Sequence, residues 1–196
     1  MIHVFLFLHH NYFLIFFLKF QLNMSASAEM PYFINPSINL ESAAKQEAYE
    51  LAAGEIRAVL KGETDIVLKM VTINCLLKTH LPYYYWVGFY VVNNGRLSVG
   101  PYQGTLGCLH IEFGTGVCGR AAAERETQLV KNVHELAQGK DHIACDPNSS
   151  SEIVVPVFDK KNELIAVFDV DSTLTGSFDE TDKFYLEEIL NEQFAE

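Results

Sequence analysis

The sequence predicts a single α+β domain in which an antiparallel sheet carries helices from both ends of the chain. Three observations predict it: helical periodicity at both ends, short alternating strands between them, and turn residues that join the strands in pairs. A chain of 196 residues is long enough for one domain with its own core. We expect this domain to span residues 40–196, with residues 1–39 as an N-terminal extension and linker.

The first 23 residues differ in composition from the rest of the chain. They contain six of the 14 Phe residues, a single basic residue and no acidic one. The apolar runs 4–8 and 12–18 are too short to cross a bilayer, and the segment lacks the early basic region and small-residue cleavage site of a signal peptide. A third interpretation is that translation starts at Met24. We therefore expect this segment to lie outside the folded core, and we expect no membrane association of residues 24–196.

Two helices are predicted before the strands. The first covers residues 40–62, where apolar residues recur at helical spacing, and it ends at Gly62. Its expected buried face consists of Ala44, Ala48, Leu51, Val59 and Leu60. The second helix covers residues 65–80, with Thr64 as its N-cap. Cys75 lies on this second helix, where we expect a small core side chain.

The middle of the chain changes to the alternating pattern of strands. The predicted strands are 83–92, 96–101, 108–113, 127–132, 151–158 and 163–172. The first two form a hairpin around an Asn-Gly turn, and the last two form another around residues 159–162. Residues 113–126 predict a glycine-rich loop that leads into a short helix, and a final helix is predicted over residues 179–194.

Charge and cysteine usage exclude several classes of protein. The formal net charge is −11, the acidic residues are dispersed, and no Lys/Arg cluster is present, so we expect no nucleic-acid partner. Four cysteines are too few for a secreted disulfide scaffold of this length. The sequence is more typical of an intracellular thiol protein, which we expect in the cytoplasm.

Three thiols, Cys108, Cys118 and Cys145, lie within 38 residues. No two of these cysteines form a CxxC motif, and no two His residues lie at ligand spacing between them, so we expect no structural zinc site. Redox chemistry fits better, because one thiolate can attack a substrate and another can resolve the product as a disulfide. Cys118 lies near a helix start, which favours the thiolate, and Cys145 lies in an accessible polar loop. Both are candidates for the attacking thiol.

Carboxylates and aromatic residues accompany the thiols. Asp169 and Asp171 are two apart on one strand and share a face, and Glu152 on the neighbouring strand can share that face too. Mutual repulsion would raise the pKa of at least one acid, which could then donate a proton while the others bind a cation. A solvated acidic strand end is the alternative. Trp86 and Tyr90 also share a face and form either an apolar wall for a ligand or part of the core.

Six motifs, taken together and in order, resemble those of the free methionine-(R)-sulfoxide reductases, which are small catalytic GAF domains. They are "WVGFY", "GPYQG", "CLHIEFGTGVCGRAA", "HIACD", "SEIVVP" and "DVDS". The resemblance extends over residues 40–194. It implies a GAF fold and reduction of the R epimer of free methionine sulfoxide, with thioredoxin as electron donor and without a metal or organic cofactor. It leaves room for a homodimer and for a nuclear as well as a cytoplasmic location.

The resemblance also implies roles for the thiols. Cys145 attacks the sulfoxide sulfur and becomes a sulfenic acid, Cys108 forms a disulfide with it, and thioredoxin reduces that disulfide. The role of Cys118 stays open between a relay thiol and the nucleophile itself. Glu152 or one of the two aspartates, Asp169 and Asp171, protonates the departing oxygen.

The remaining groups would bind the rest of the substrate. The resemblance implies that Trp86 and Tyr90 enclose the S-methyl group and that the acids not donating the proton receive the ammonium. Two alternatives belong to other classes: a non-catalytic GAF module that binds a small ligand, and a redox-sensing protein whose thiols only oxidise.

Overall fold

The computed structural model describes residues 37–136 and 146–196. Its elements in chain order are α1 (Ser42–Val59), α2 (Ile66–His80), β1 (Trp86–Asn93), β2 (Arg96–Gln103), β3 (His110–Ile111), α3 (Gly116–Glu124), β4 (Gln128–Val130), β5 (Ser151–Phe158), β6 (Leu164–Ser172) and α4 (Glu180–Phe194). The predicted α+β class is confirmed. The domain boundary at residue 40 stays a prediction, because the structure describes only a few residues before it.

The six strands form one antiparallel sheet in the order β3-β2-β1-β6-β5-β4. Both predicted hairpins are confirmed, since β1 pairs with β2 and β5 pairs with β6. The first hairpin turns at Asn94 and Gly95, whose φ angles of 52° and 80° are those that a tight primed turn requires. Strands β1, β6 and β5 therefore occupy central positions, each bonded on both sides.

Alternation along the central strands divides their side chains between two faces of the sheet. Val87 and Phe89 of β1 face a core formed with α1, α2 and α4. Trp86 and Tyr90 of the same strand face the opposite side, where they belong to a second core that includes Cys118 and other residues of α3. The second side is the less apolar one, because the acids of β5 and β6 also lie there.

Helix α1 buries a different face from the one predicted. Leu51 and Val59, expected inside, are 55% and 64% exposed, whereas Leu60 is buried as expected. Ala44 is exposed and Ala48 only half-buried. The buried residues of the helix are Lys45, Tyr49, Ala52, Ala53 and Ile56.

A buried ion pair explains this rotation of the helix. The Lys45 ammonium donates to Asp182 Oδ2 at 2.7 Å and to Asp179 Oδ2 at 2.9 Å, both at the start of α4. The hydroxyls of Tyr49 and Tyr83 donate to Asp182 Oδ1 at 2.8 and 2.6 Å. A buried carboxylate is tolerated when it is paired and fully hydrogen-bonded, so Lys45 must face inward. The spacing of apolar residues cannot predict a buried face that carries a lysine.

Two predictions on α2 were wrong. Its N-cap is Asp65 rather than Thr64, because the Asp65 carboxylate accepts from the amides of Val67 and Leu68. Cys75, expected in the core, is exposed. The helix instead buries the side that carries Met70, Ile73, Asn74 and Leu77.

Four strands, β1, β3, β4 and β6, are shorter than predicted, and the differences in β1 and β3 have local causes. Strand β1 begins at Trp86 rather than at residue 83, because the hydroxyls of Tyr83 and Tyr84 turn into the network around Asp182. Strand β3 is reduced to His110–Ile111, since β2 pairs with only those residues. Within the described ranges, no helix is long and apolar enough to cross a membrane.

Candidate active site

The floor of the candidate site is a row of side chains that crosses three strands. Trp86 of β1 is paired with Asp171 of β6, and Asp171 is paired with Glu152 of β5. Directly paired residues point to the same side of a sheet, and Asp169 follows on that side because it lies two residues from Asp171. Together with Tyr90, these residues line one cavity.

The rings of Trp86 and Tyr90 form one wall of the cavity, and the ring of Tyr102 stacks on that of Trp86. Trp86 lies between Tyr90 and Tyr102, with ring centroids 5.7 and 5.2 Å apart and interplanar angles of 18° and 15°. The Trp86 indole N–H donates to the Thr105 carbonyl at 3.0 Å, which fixes the ring. Gly88 permits this stack, since a Cβ there would lie 2.3 Å from the Cβ of Tyr102 and 2.8 Å from the Trp86 ring.

Cys118 closes the cavity from the side of α3. It is the third residue of the helix and is buried, and its Sγ lies 4.0 Å from Glu152 Oε1. Burial raises the pKa of the Cys118 thiol well above its usual value, and the charges of Asp169 and Glu152 raise it further. The expectation that the helix start favours a thiolate at Cys118 was therefore wrong, because the dipole effect is small beside desolvation and two acidic neighbours.

All three acids are shifted toward their neutral forms. Burial is the main cause of a pKa well above the usual range for Glu152, and Asp169 and Asp171 raise it further, while Arg120 acts in the opposite direction. Burial likewise raises the pKa of Asp171, with Asp169 as the second cause. The pKa of Asp169 rises to about 7 through burial, a rise limited by contacts with Cys118 and Glu152.

Asp169 has an unusual environment for a buried carboxyl group. Its side chain is only 5% exposed, yet its Oδ1 has no hydrogen-bond partner within the described part of the chain. Buried polar atoms are nearly always hydrogen-bonded, so an unsatisfied one aimed into a cavity indicates a place for a ligand group. Cys118, Glu152 and Asp169 each offer an atom capable of metal binding, and these atoms lie within 4.8 Å of one another.

Of the other two predicted thiols, Cys108 belongs to the part of the chain that the structure describes. Cys108 follows β2 in a half-buried position and is disulfide-bonded. Cys145 lies outside the described residues, so its position and its predicted pairing with Cys108 stay predictions. The described residue nearest to it in the chain is Asp146, which lines the cavity.

Asp146 is a site residue that the sequence analysis missed. Its Oδ2 accepts hydrogen bonds from the hydroxyls of Thr105 and Tyr85, the latter at 2.8 Å, and its Oδ1 accepts from the Asn148 amide at 2.8 Å. Burial alone would raise the pKa of Asp146, but these hydrogen bonds lower it below its usual value. The available signal was an acid placed directly after a cysteine in a turn-rich segment.

Comparisons with known proteins agree with this architecture. The family model described as "GAF domain" matches residues 82–192. A curated relative, the free methionine-R-sulfoxide reductase of Escherichia coli, is 37% identical over 146 residues, which cover 74% of this chain and 86% of the relative. The chain belongs to this family of GAF domains. A Saccharomyces cerevisiae protein of the same name is 42% identical over 107 residues, covering 53% of this chain and 58% of that protein.

Solved structures of the free methionine-R-sulfoxide reductase family share the fold. The enzyme from Neisseria meningitidis, determined in complex with its substrate, is 39% identical, with a TM-score of 0.71 over 82% of this chain and 95% of that chain. The reduced form of the Staphylococcus aureus protein is 41% identical, with a TM-score of 0.70 over 74% of this chain and 92% of that one. The side chains of the described site lie within residues 82–192, which the family model matches.

Proposed function

We propose that this protein reduces free L-methionine (R)-sulfoxide to methionine, using its thiols as the immediate source of electrons and thioredoxin as the external donor. The observation that carries the proposal is the buried Glu152, whose pKa is raised well above its usual value and which lies in one cavity with the aromatic wall of Trp86 and Tyr90. A sulfoxide needs both parts, an acid for its oxygen and an apolar surface for its methyl group. The names of the family members support the same reaction.

In the first step, the thiolate of Cys145 attacks the sulfoxide sulfur. Glu152 protonates the sulfoxide oxygen as the bond between the two sulfur atoms forms. The hydroxyl group then moves from the substrate sulfur to the Cys145 sulfur while the sulfur–sulfur bond breaks, and methionine leaves. Cys145 retains the oxygen as a sulfenic acid, so the substrate gains the two electrons that the cysteine loses. Glu152 fits the role of acid because burial and two acidic neighbours keep its pKa well above its usual value.

In the second step, Cys108 attacks the sulfenic acid, and water leaves as a disulfide forms. Its disulfide-bonded state supports a role for Cys108 as the resolving thiol. The two thiols of thioredoxin then open the disulfide by exchange and restore both cysteines. Cys118 takes no covalent part in this scheme, because burial and the nearby acids hold its pKa well above its usual value.

The amino acid part of the substrate is recognised by charge. Asp169 Oδ1 is buried without a hydrogen-bond partner among the described residues, and an ammonium group is a donor that can satisfy it. Asp171 lies two residues away on the same face and can accept from the same group. A peptide-bound residue has no free ammonium, so this recognition restricts the substrate to the free amino acid.

The proposal is tested with purified protein, dithiothreitol and racemic methionine sulfoxide. We expect consumption of the R epimer only, measured by chiral chromatography, and no consumption of methionine sulfoxide within a peptide. The Cys75→Ser variant should be as active as the parent, since this thiol is exposed on α2, whereas Cys145→Ser should be inactive. Binding without turnover would instead favour a ligand-binding module, and equal use of the S epimer would refute the stereochemical part.

A further inference from the structure

A thiol and two carboxyl groups converge in the cavity in a way that suits a metal ion. The ligand-type atoms of Cys118, Glu152 and Asp169 lie within 4.8 Å of one another, and all three residues are buried. Metal–sulfur and metal–oxygen distances of about 2.3 and 2.1 Å place two ligands of a tetrahedral zinc ion about 3.6 Å apart. Cys118 Sγ and Glu152 Oε1 are 4.0 Å apart, so they must approach by a few tenths of an ångström. Small side-chain rotations would complete the geometry.

A separate observation concerns the hydrogen bonding of Asp169 in this cluster. Asp169 Oδ1 is buried with no hydrogen-bond partner in the described structure, and it belongs to the same cluster. A carboxylate oxygen left unsatisfied at such a position costs free energy that a cation or a donor would recover. Asp171 adds a further acid to the same cavity.

The identity of the three groups restricts which ion would bind. A thiolate is a soft ligand, and its combination with carboxylates suits zinc or cobalt, whereas magnesium and calcium select oxygen ligands alone. The cysteine also distinguishes this arrangement from an ordinary acidic cluster. The ligand set differs from the one that the sequence analysis considered, which consisted of the three clustered thiols.

We propose that the substrate-free cavity binds one zinc ion through Cys118, Glu152 and Asp169, with a fourth position open to the cavity, and that the ion excludes the substrate. Metal binding displaces the protons of its ligands, so it removes the proton that Glu152 would donate and occupies the carboxylate that would receive the ammonium. Zinc is therefore a competitive inhibitor that reductants do not reverse unless they chelate it. The binding stands on the geometry alone, and the inhibition rests on the proposed function.

The binding is tested in a protein that carries Cys108→Ser and Cys145→Ser, so that neither thiol on the loops can bind metal. Titration with cobalt(II) should produce the near-ultraviolet thiolate-to-cobalt absorption band with one ion per chain, and zinc should abolish the band. Adding Cys118→Ser should remove the band, and adding Asp169→Asn should weaken binding at least about tenfold. Adding Cys75→Ser instead should change nothing, which makes it the matched control.

Each outcome decides the proposal. A band that survives Cys118→Ser, a band lost with Cys75→Ser, or no band at millimolar cobalt would overturn the site. If Asp169→Asn does not fold, the loss of the band in Cys118→Ser and Cys118→Ala tests the site without it. The inhibition is measured separately, by methionine release in a single turnover of the prereduced parent protein without chelating thiols. Release that zinc does not slow would overturn the inhibition, whereas no release even without zinc would contradict the proposed reductase and leave the cobalt result standing.

Discussion

The hydroxyl of Thr105 donates a hydrogen bond to the Asp146 carboxylate. Thr105 lies three residues before Cys108, and Asp146 directly follows Cys145 in the sequence. One carboxylate thus ties the loop of the proposed resolving thiol to the segment that follows the proposed nucleophile. The hydroxyl of Tyr85 donates to the same oxygen, which anchors both segments to the start of β1.

We expect Asp146→Asn to slow disulfide formation more than methionine release. The substitution weakens hydrogen bonds to a charged acceptor, worth about 1 to 3 kcal/mol each, and so loosens the alignment of the two loops. A quenched single turnover should therefore show a sulfenic acid that persists about tenfold longer than in the parent. Asp159→Asn, in the turn between β5 and β6, is the matched control. A parent-like rate of disulfide formation in Asp146→Asn would rule out this role.

The three thiols should separate in a single turnover without external reductant. We expect no methionine from Cys145→Ser, and one equivalent from Cys108→Ser, which should then stop as a sulfenic acid. Cys118→Ser should change the yield least, because the pKa of this thiol is raised by burial and by its acidic neighbours. Quantified methionine together with a sulfenic-acid trap checks these outcomes. Normal release from Cys145→Ser and none from Cys118→Ser would reverse the assignment.

The acids should make the protein less stable as the pH rises. The pKa of Asp169 is about 7 in the folded protein, above its ordinary value of 3.8, so its contribution is fully present below about pH 4 and is lost as the pH rises through 7. We expect Asp169→Asn to lose less unfolding free energy than the parent between pH 5 and pH 8, by on the order of 2 kcal/mol. Urea denaturation at both pH values measures this, with Asp159→Asn as control. An equal pH dependence would contradict it.

Gly88→Ala should damage substrate binding through the aromatic wall. The added methyl group would meet Tyr102 at 2.3 Å and Trp86 at 2.8 Å, so the stacked rings must separate. We expect the KM for methionine sulfoxide to rise about tenfold, equivalent to 1.4 kcal/mol, with a smaller change in kcat. Gly54→Ala makes the same change on α1, where no atom lies within 4 Å, and should stabilise the protein by up to about 1 kcal/mol. An unchanged KM in Gly88→Ala would show that the stack does not contact the substrate.

Lys45→Met should lower stability without a direct effect on the cavity. It removes the cation from the buried Asp182, and breaking one side of a buried ion pair costs about 3 to 5 kcal/mol. Chemical denaturation measures the loss. Lys61→Met, at an exposed position just after α1, should cost almost nothing. A loss below about 1 kcal/mol in Lys45→Met would mean that the ion pair contributes little.

Alternation and turn residues predicted the hairpins and the faces of the strands, because these features depend on residues that are close in the sequence. Alternation placed Asp169 and Asp171 on one face of their strand and Trp86 and Tyr90 on one face of theirs, and the register of the sheet brought both pairs to the same side as Glu152. The burial of Lys45 could not be predicted, because its partner Asp182 is 137 residues away in the sequence. The prediction that Cys118 favours the thiolate form was wrong for a related reason. Its helix position was visible in the sequence, but the acids that decide its pKa come from other strands.

The carboxyl groups of Glu152, Asp169 and Asp171 project from β5 and β6, which are bonded to neighbours on both sides. Because the sheet holds these groups close together, ionising more than one of them costs electrostatic free energy, which the binding of a proton or a cation releases. A cationic ligand gains affinity from that release as well as from its own contacts. Its stabilisation of the protein against heat should accordingly be larger in alkaline than in acidic solution.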